Sequence, residues 1–384
     1  TTIRRSLKWC KTHLEELRKH MNLKYGIASP STITRMLNGI DEELALYAFM
    51  EWIGEIVESR NTHLAIDGKA LCGATEKTKG ETTPMLLNVV ETVRGLILAQ
   101  LPVDSKTNEI TAIPELLKLL DISGSIVTID AVGTQTAIME QIHEQGGHFV
   151  LTVKKNQPEA YEEIHTFMDK LGAEDLKRKK GEAMDPGMKE FLEKYEEISQ
   201  MEKNRDRNEY RTCQICKDAS NLTKSQKEWP HVQSIGRIKQ VRIPKEKDSQ
   251  GNDVTPSKEE FLEKGSRRIP APSAGEGAGK DVQCTALISD LILTAEELGS
   301  IKRMHWSIEN RLHHVLDDTF REDRSPAKKS RNNLSLIRKY AYNILRLAMY
   351  ETGLANIMTE MMDCFCDNAA LRERYVFQGI ASLY

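Results

Sequence analysis

An ordered alternation of apolar runs and helical patterns between residues 61 and 171 constrains the fold more than any other feature of this sequence. Three strand-like runs come first, and the last two are joined by Arg94-Gly95, a pair typical of a hairpin turn. Helix, strand, helix, strand and helix patterns follow. This order predicts a mixed sheet with helices on its faces, because hairpin strands are antiparallel whereas strands joined through helices are parallel. The predicted strands are 63–66, 85–93, 96–103, 125–129 and 148–153, and the predicted helices are 114–120, 135–144 and 158–171.

The sequence on either side of this alternation has a different character. Residues 1–60 carry leucines at helical spacing and predict a small helical domain. Between residues 172 and 291 the regular pattern is lost, and the stretch 245–281 is polar and rich in Gly, Pro, Ser and Lys, which predicts a flexible loop. The remaining predicted elements are strands at 210–215, 234–243 and 285–292, and helices at 295–317 and 333–350.

The composition suits a globular protein in a reducing compartment and excludes a membrane-spanning one. The 384 residues suffice for two or three domains of about 100–200 residues each. No apolar run approaches the roughly 18 residues that span a bilayer, and the chain starts with no secretory signal. Seven cysteines, an odd number, favour free thiols. We therefore expect a cytoplasmic protein without a membrane partner.

The net charge of −3 does not by itself indicate a nucleic-acid binder. Basic residues are nevertheless concentrated in places, and each such run either contacts phosphates or forms a solvated surface. The runs are 177–180, the spaced set Arg237, Lys239, Arg242 and Lys245, and the set Lys328, Lys329, Arg331, Arg338 and Lys339.

Two aspartates directly follow apolar runs that predict buried strands. Asp67 ends the run Leu-Ala-Ile-Asp, and Asp130 ends the run Ile-Val-Thr-Ile-Asp. An acidic residue at the end of a buried strand costs free energy unless it is paired or bound to a metal. Magnesium prefers carboxylate oxygens, and strand ends bring distant residues to one edge of a sheet. The two residues therefore fit a magnesium site. Each is also a candidate helix cap or turn residue, Asp130 above all because Thr134 and Gln135 follow it.

A third acidic residue lies in a stretch that resembles the C-terminal signature of a known family. Residues 304–317, Met-His-Trp-Ser-Ile-Glu-Asn-Arg-Leu-His-His-Val-Leu-Asp, continue through Phe-Arg-Glu-Asp at 320–323. This stretch resembles the signature of the H-repeat-associated insertion-sequence transposases, a bacterial DDE family. Other blocks resemble the same family in the same order, so that the resemblance covers roughly residues 1–350. These blocks are 66–69, 106–114, 128–131, 153–157, 229–230 and 234–236.

The resemblance implies an α/β fold with a ribonuclease H-like mixed sheet, flanked by helices and followed by a β-containing insertion before the last core helices. It also implies a triad of Asp67, Asp130 and Glu309 that binds Mg²⁺, with Mn²⁺ as a substitute. The long gap between Asp130 and Glu309 can hold the insertion. The domains expected are an N-terminal helical domain (1–60), the first part of the catalytic core (61–171), the insertion subdomain (172–291), the C-terminal helices of the core (292–350) and a C-terminal tail (351–384).

The function that the resemblance implies is that of a DNA transposase. Such an enzyme binds the terminal repeats of its own insertion element, cuts by metal-activated water and joins the freed 3′-hydroxyl to target DNA. The expected partners are double-stranded DNA and further copies of the chain, as a homodimer or larger assembly on DNA, in a bacterial, nucleoid-associated setting. Two alternatives stay open, namely a decayed DNA-binding remnant that no longer cuts and a stand-alone nuclease of the same fold.

The positions around Glu309 depart from a pattern common in related transposases with a β-rich insertion. Those proteins often carry Tyr, Arg and Lys where this chain has Lys302, His305 and Leu316. The phosphate contacts of that Arg and Lys must then come from other residues. The residues that we expect to contact DNA are Lys302, Arg303 and Arg311, together with Lys328, Lys329 and Arg331, which precede the last predicted helix.

Several acids in this region compete with Glu309 for the third place in the triad. On an α-helix at about 100° per residue, Glu309 lies at the edge of an apolar stripe, from which its carboxylate can reach the sheet. Asp317 is predicted to point to the opposite side into solvent, and Asp318 lies where the helix should end. Glu322 and Asp323 follow that helix and are expected to cap the next helix or to form salt bridges with it.

For several other residues a structural interpretation competes with a functional one and is favoured. Two cysteine pairs have zinc-like spacing but no partner pair at finger spacing. Two tandem histidines fit a helix surface near phosphate better than a metal site. Two tryptophans fit buried side chains better than stacking on a flipped base, and one glutamate fits a helix start better than catalysis. The residues concerned are Cys213 and Cys216, Cys364 and Cys366, His313 and His314, Trp229 and Trp306, and Glu109.

Overall fold

A computed structural model of the protein describes residues 3–71, 83–103, 109–203, 207–222, 229–244, 246–247, 253–254, 282–325 and 327–378. The chain folds into two compact units. The first consists of residues 1–125 and 304–384, and the second consists of residues 126–303. Among the helices in the described ranges, none combines the length and the apolar character that crossing a membrane requires.

The first unit combines three antiparallel strands with helices that come mainly from the two ends of the chain. Strands β1 (His63–Ala70), β2 (Met85–Glu91) and β3 (Leu96–Val103) pair in sequence order. Asp67 of β1 lies opposite Asn88 of β2. The helices are α1 (Ile3–Thr12), α2 (Leu14–Leu17), α3 (Pro30–Gly39), α4 (Glu42–Gly54), α5 (Glu109–Lys118), α10 (Arg331–Thr352), α11 (Met358–Asp367) and α12 (Ala369–Arg372).

Local sequence signals define where the N-terminal helices begin. Asp41 caps α4 by accepting hydrogen bonds from the backbone N–H groups of Glu43 and Leu44 at 3.0 Å. Ser29 caps α3 in the same way. Such caps satisfy N–H groups that have no partner inside the helix. The helical patterns of residues 1–60 are therefore observed as helices.

Helix α10 packs on the strands of the first unit through two polar side chains. Asn343 accepts a hydrogen bond from the N–H of Ile97 at 2.9 Å and donates one to the Ile97 carbonyl at 2.8 Å. These backbone groups are buried and would cost free energy if they were unpaired. Lys339, one turn earlier and fully buried, donates to Asn88 on β2 and Gln100 on β3. Both side chains therefore join α10 to the strands through hydrogen bonds.

The second unit contains a mixed sheet. Strand β4 (Ile126–Ile129) is parallel to β5 (His148–Val153), and α6 (Thr136–Glu144) connects them. Beyond β5 lie β11 (Val282–Ser289), β8 (Ser234–Pro244), β7 (Arg207–Cys216) and β6 (Tyr195–Lys203), each antiparallel to the one before. The other elements are α7 (Pro158–Lys180), α8 (Lys189–Glu193), the antiparallel pair β9 (Glu246–Lys247) and β10 (Asp253–Val254), and α9 (Ala295–Ile308), inside which the second unit ends.

This architecture confirms the predicted fold class, an α/β fold with a ribonuclease H-like mixed sheet flanked by helices. The sequence predicted strands within 172–291, and the structure contains them. It did not predict that β11 lies directly beside β5 and that β8, β7 and β6 continue the same sheet outward. The predicted loop at 245–281 lies outside the described residues except for β9 and β10. The boundaries of the five predicted domains stay predictions.

Two observed helices differ from the predicted ones. The helix predicted at 295–317 continues beyond α9 as two π-helical turns, Glu309–His313 and Val315–Thr319. Apolar spacing does not distinguish an α-turn from a π-turn, whose hydrogen bonds join residues five apart. The helix predicted to open at Pro114 begins at Glu109, with the proline inside it. Proline favours the first position of a helix, so this signal alone predicts too late a start.

Candidate active site

Asp67 lies within strand β1 of the first unit. The sequence predicted a strand that ends at Ile66, but pairing with β2 continues to Ala70. The alternative that Asp67 is a cap or turn residue is therefore wrong. Its side chain is 32% exposed, and its carboxylate accepts a hydrogen bond from the N–H of Gly68 at 2.9 Å. A carboxylate that is held by the backbone and open to solvent can also bind a cation.

The π-helical turn that begins at Glu309 ends at His313, which lies against Asp67. Nδ1 of His313 is 3.6 Å from Oδ2 of Asp67, a contact that is longer than a hydrogen bond. Burial, and then the positive charges of Lys69 and Lys339, lower the pKa of His313 to about 4, so its ring is neutral near pH 7. Glu309 itself is exposed. The first unit thus brings the Asp67 strand against the turn that carries Glu309, and π-turns are frequent at functional sites.

Lys69 of strand β1 lies among three carboxylates. Its Nζ is 2.5 Å from Asp317, 3.4 Å from Glu322 and 3.7 Å from Asp323. The prediction that Asp317 points into solvent is wrong, because the π-helical turns change the direction in which this residue points. Glu322 also lies 3.8 Å from Arg338 on α10, in agreement with the expected salt bridge to the next helix.

Asp130 directly follows β4 in the second unit and precedes a 3₁₀ turn at Ala131–Gly133. Its side chain makes no capping hydrogen bond to that turn, so a capping role does not account for it. Instead, Nζ of Lys154 lies 2.8 Å from Oδ2 of Asp130, and Nζ of Lys302 lies 3.6 Å from Oδ1. Two ammonium groups therefore approach a carboxylate whose side chain remains 45% exposed.

The predicted DNA-contacting residues lie in different surroundings. Lys302 is buried and donates to Thr152 at 2.9 Å, so its position suits holding Asp130 and disfavours a direct contact with DNA. Arg303 is exposed and forms an ion pair with Glu202 at 3.2 Å. The others belong to the first unit and reach the surface: Arg311 in the first π-helical turn, Lys328 and Lys329 before α10, and Arg331 at the first residue of α10.

The donor set fits a hard divalent ion. Asp67, Asp130 and Glu309 are carboxylates that are open to solvent, and carboxylate oxygens are the ligands that Mg²⁺ and Mn²⁺ prefer. The two lysines at Asp130 indicate that this carboxylate attracts cations in the folded chain. Within the described ranges, no three His, Cys, Asp or Glu side chains are grouped closely enough to hold an ion by themselves. The convergence of the three carboxylates stays a prediction.

The structural interpretation agrees with the surroundings of Cys213, Cys216, Trp229, Glu109 and His314. It is wrong for His313, which was expected on a helix surface and whose side chain is only 13% exposed, and Trp306 is half-buried. Cys213 and Cys216 are buried in β7, and burial raises the pKa of Cys216 to about 11, which disfavours the thiolate that zinc requires. Trp229 is buried, and Glu109 is the first residue of α5. His314 forms an exposed pair with Asp318 on its own helical segment.

Lys69, Lys154 and His313 each contact an acid that the sequence analysis considered, and none of these contacts was predicted. The position of Lys69 could have been predicted, because side chains alternate along a strand and a residue two positions after Asp67 lies on the same face. The contact of Lys154 could also have been predicted. Lys154 directly follows β5, Asp130 directly follows the adjacent parallel strand β4, and the two strands end at the same edge of the sheet. The contact of His313 could not have been predicted, since its direction depends on the π-helical turn.

Comparison with known proteins identifies the family. A family model described as Transposase DDE domain matches residues 58–344. The H repeat-associated putative transposase YhhI of Escherichia coli K12 is 29% identical over 339 residues, which cover 87% of this chain and 77% of that protein. The putative transposase YncI of Escherichia coli O157:H7 is 29% identical over 336 residues, which cover 87% of this chain and 74% of that protein.

Among solved structures, a synaptic complex of piggyBac transposase with hairpin DNA aligns with 82% of this chain and 54% of its own chain, at 13% sequence identity and a TM-score of 0.35. The family model spans well over half of the chain and includes Asp67, Asp130 and Glu309. The chain therefore belongs to the DDE transposase family and is of the H-repeat-associated type.

Proposed function

We propose that this chain is the transposase of its own insertion element and that Asp67, Asp130 and Glu309 are its metal-binding carboxylates. The observation that carries the proposal is the contact, in the first unit, between strand β1 at Asp67 and the π-helical turn that begins at Glu309. Two acids that are far apart in sequence are thereby held on neighbouring elements, as a shared ion requires. Membership of the DDE transposase family supports the same function.

The three carboxylates would hold Mg²⁺, for which Mn²⁺ can substitute. When bound, such ions would lower the pKa of the attacking water and neutralise charge on the phosphate under attack. A backbone N–H orients Asp67, and the neutral ring of His313 packs beside it without adding charge. Lys154 and Lys302 orient Asp130 by charge-assisted contacts. Contacts within each unit thus orient the carboxylate of Asp67 and that of Asp130.

The proposed reaction has two phosphoryl transfers. In the first, water attacks the phosphodiester at the element end, and the bond from phosphorus to the 3′ oxygen breaks to leave a free 3′-hydroxyl. In the second, this hydroxyl attacks a phosphodiester of target DNA, and one new phosphorus–oxygen bond replaces the one that breaks. Because two element ends must be joined to one target, we propose a homodimer or larger assembly on DNA.

Lys328, Lys329 and Arg331 are proposed as phosphate contacts on the first unit. Replacing all three with alanine should weaken DNA binding to a similar extent for every duplex sequence, because phosphate contacts carry no sequence information. The dependence of log K on log[salt] should become shallower by up to about 0.9 for each phosphate that the variant no longer neutralises. Fluorescence anisotropy over a series of salt concentrations measures both effects.

A matched control removes three basic residues elsewhere. Lys177 and Lys179 are ion-paired with Glu174 and Asp175, so replacing them and Lys180 with alanine should leave the salt dependence nearly unchanged. If the variant at 328, 329 and 331 loses affinity for one sequence only, these residues read bases and the proposed role is wrong.

The function itself is tested with a duplex that carries the inverted repeats flanking the gene, incubated with the chain, Mg²⁺ and a supercoiled target plasmid. We expect nicked element ends and end DNA covalently joined to the plasmid. Binding without cutting would identify a decayed DNA-binding remnant. Cutting without joining would identify a stand-alone nuclease of the same fold, and either result contradicts the proposal.

A further inference from the structure

We infer that Lys69 is a positioning residue, which through Asp317 sets where the π-helical segment that begins at Glu309 lies on strand β1. The inference rests on the proposed function, because it gives Lys69 a part in placing two proposed metal ligands, Asp67 and Glu309, relative to each other. All the residues concerned belong to the first unit.

Two contacts join β1 to this segment in matching order. Strand side chains alternate between faces, so Asp67 and Lys69 point to the same side of β1. His313 lies 3.6 Å from Asp67, and Asp317 lies 2.5 Å from Lys69. The strand and the segment therefore run alongside each other over this stretch. Glu309, four residues before His313, is the first residue of this segment.

The π-helical turns make this double contact possible. In an α-helix, a residue four positions further along is rotated by about 40°, and two such steps rotate it by about 80°. A π-helix bonds residues five apart and has more residues per turn, so a residue four positions along is offset by roughly 30° in the opposite direction. Glu309, His313 and Asp317 are spaced by four across the two π-helical turns. They therefore lie on one face of the segment, whose C-terminal end is held by Lys69.

The charges around Lys69 indicate what its removal would do. Its side chain is 4% exposed, and its ammonium lies 2.5–3.7 Å from Asp317, Glu322 and Asp323. Glu322 is also buried, and neither of its carboxylate oxygens has a hydrogen-bond partner among the described residues, so nearby cations compensate its charge. Arg338 is one of these, at 3.8 Å. Without Lys69, the carboxylates repel one another at a buried site, and the segment that carries them moves away from β1.

The experiment compares the full chain with Lys69→Met, which keeps an unbranched side chain and removes the charge. Three quantities are measured: the single-turnover rate of end cleavage, the Kd for end DNA, and hydrogen exchange in peptides that cover residues 309–323. We expect cleavage roughly 10–100-fold slower, the range typical of residues that orient metal ligands. We also expect an unchanged Kd and faster exchange in residues 309–323. A role in stability alone would not separate the cleavage rate from Kd in this way.

A second variant tests the pairing itself. Adding Asp317→Asn to Lys69→Met removes one of the uncompensated carboxylates, so the double variant should cut faster than Lys69→Met alone. Arg237→Met is the matched control, because it removes a similarly buried cation from an ion pair of 2.7 Å with Asp169 in the second unit. We expect it to lower the melting temperature without slowing cleavage.

A Lys69→Met variant that cuts at the wild-type rate contradicts the inference. The inference is also contradicted if Arg237→Met loses as much melting temperature as Lys69→Met and cuts as slowly. The slower cleavage would then be an effect of lost stability. If Lys69→Met does not fold, Asp317→Asn alone, which keeps the lysine, should show faster exchange in residues 309–323 and slower cleavage, and unchanged values contradict the inference. A wild-type chain that does not cut element ends contradicts the proposed function instead.

Discussion

Replacing Asp67 or Asp130 with asparagine, or Glu309 with glutamine, is expected to slow DNA cleavage by at least about a thousandfold in each case. That factor corresponds to roughly 4 kcal/mol of transition-state stabilisation. The amide keeps the shape of the side chain but removes the charge and the anionic oxygen that a hard divalent ion needs. DNA binding should persist, because it depends on phosphate contacts made by basic residues. Single-turnover cleavage of a labelled end duplex measures the first effect, and the Kd for that duplex measures the second.

Asp318 provides the control for the third ligand. It is exposed, lies on the same helical segment as Glu309 and pairs with His314 at 3.1 Å, so Asp318→Asn should cut at nearly the wild-type rate. If Glu309→Gln cuts normally and either Asp318→Asn or Asp323→Asn does not, the third ligand has been assigned to the wrong acid.

Both candidate aspartates could be located from the sequence, because an apolar run that ends in an acid is a local pattern. Asp130 directly follows its strand as expected. The end of β1 could not be predicted in the same way, because the strand continues past Asp67 only through pairing with β2. Local patterns therefore locate the acids, whereas pairing between distant segments decides what surrounds them.

The surroundings of Glu309 were less predictable than its position. The helix that carries it was expected from apolar spacing, but that spacing does not reveal a change from α-helical to π-helical hydrogen bonding at Glu309. The direction of Asp317 was therefore predicted wrongly, and its contact with Lys69 was missed. We consequently expect Asp317→Asn to slow cleavage, whereas a solvated Asp317 would have tolerated the change.

The order of the strands in the sheet of the second unit could also not be predicted from the sequence. Strand β11 was recognisable as an apolar run, but its place beside β5 depends on pairing between residues that are far apart in the chain. The same holds for β8, β7 and β6, which continue the sheet through three further antiparallel pairs. Strand periodicity predicts that such segments are strands and does not predict their neighbours.

Asp67→Cys is expected to be inactive with Mg²⁺ and to recover cleavage with Mn²⁺. Thiolate is a soft ligand that the hard ion Mg²⁺ binds poorly, whereas Mn²⁺ accepts it more readily. Recovery is more informative than loss, because a variant that is misfolded stays inactive with both ions. Asp130→Cys should behave in the same way. Asp318→Cys, which changes an acid outside the proposed triad, should retain activity with Mg²⁺.

The most direct test of metal binding by the proposed triad is therefore the ratio of single-turnover cleavage rates in Mn²⁺ and in Mg²⁺. The ratio is compared among the wild type, Asp67→Cys and the control Asp318→Cys. We expect it to rise sharply in Asp67→Cys and to stay at the wild-type value in Asp318→Cys. An Asp67→Cys variant that cuts equally fast with both ions would contradict direct binding of the metal by Asp67.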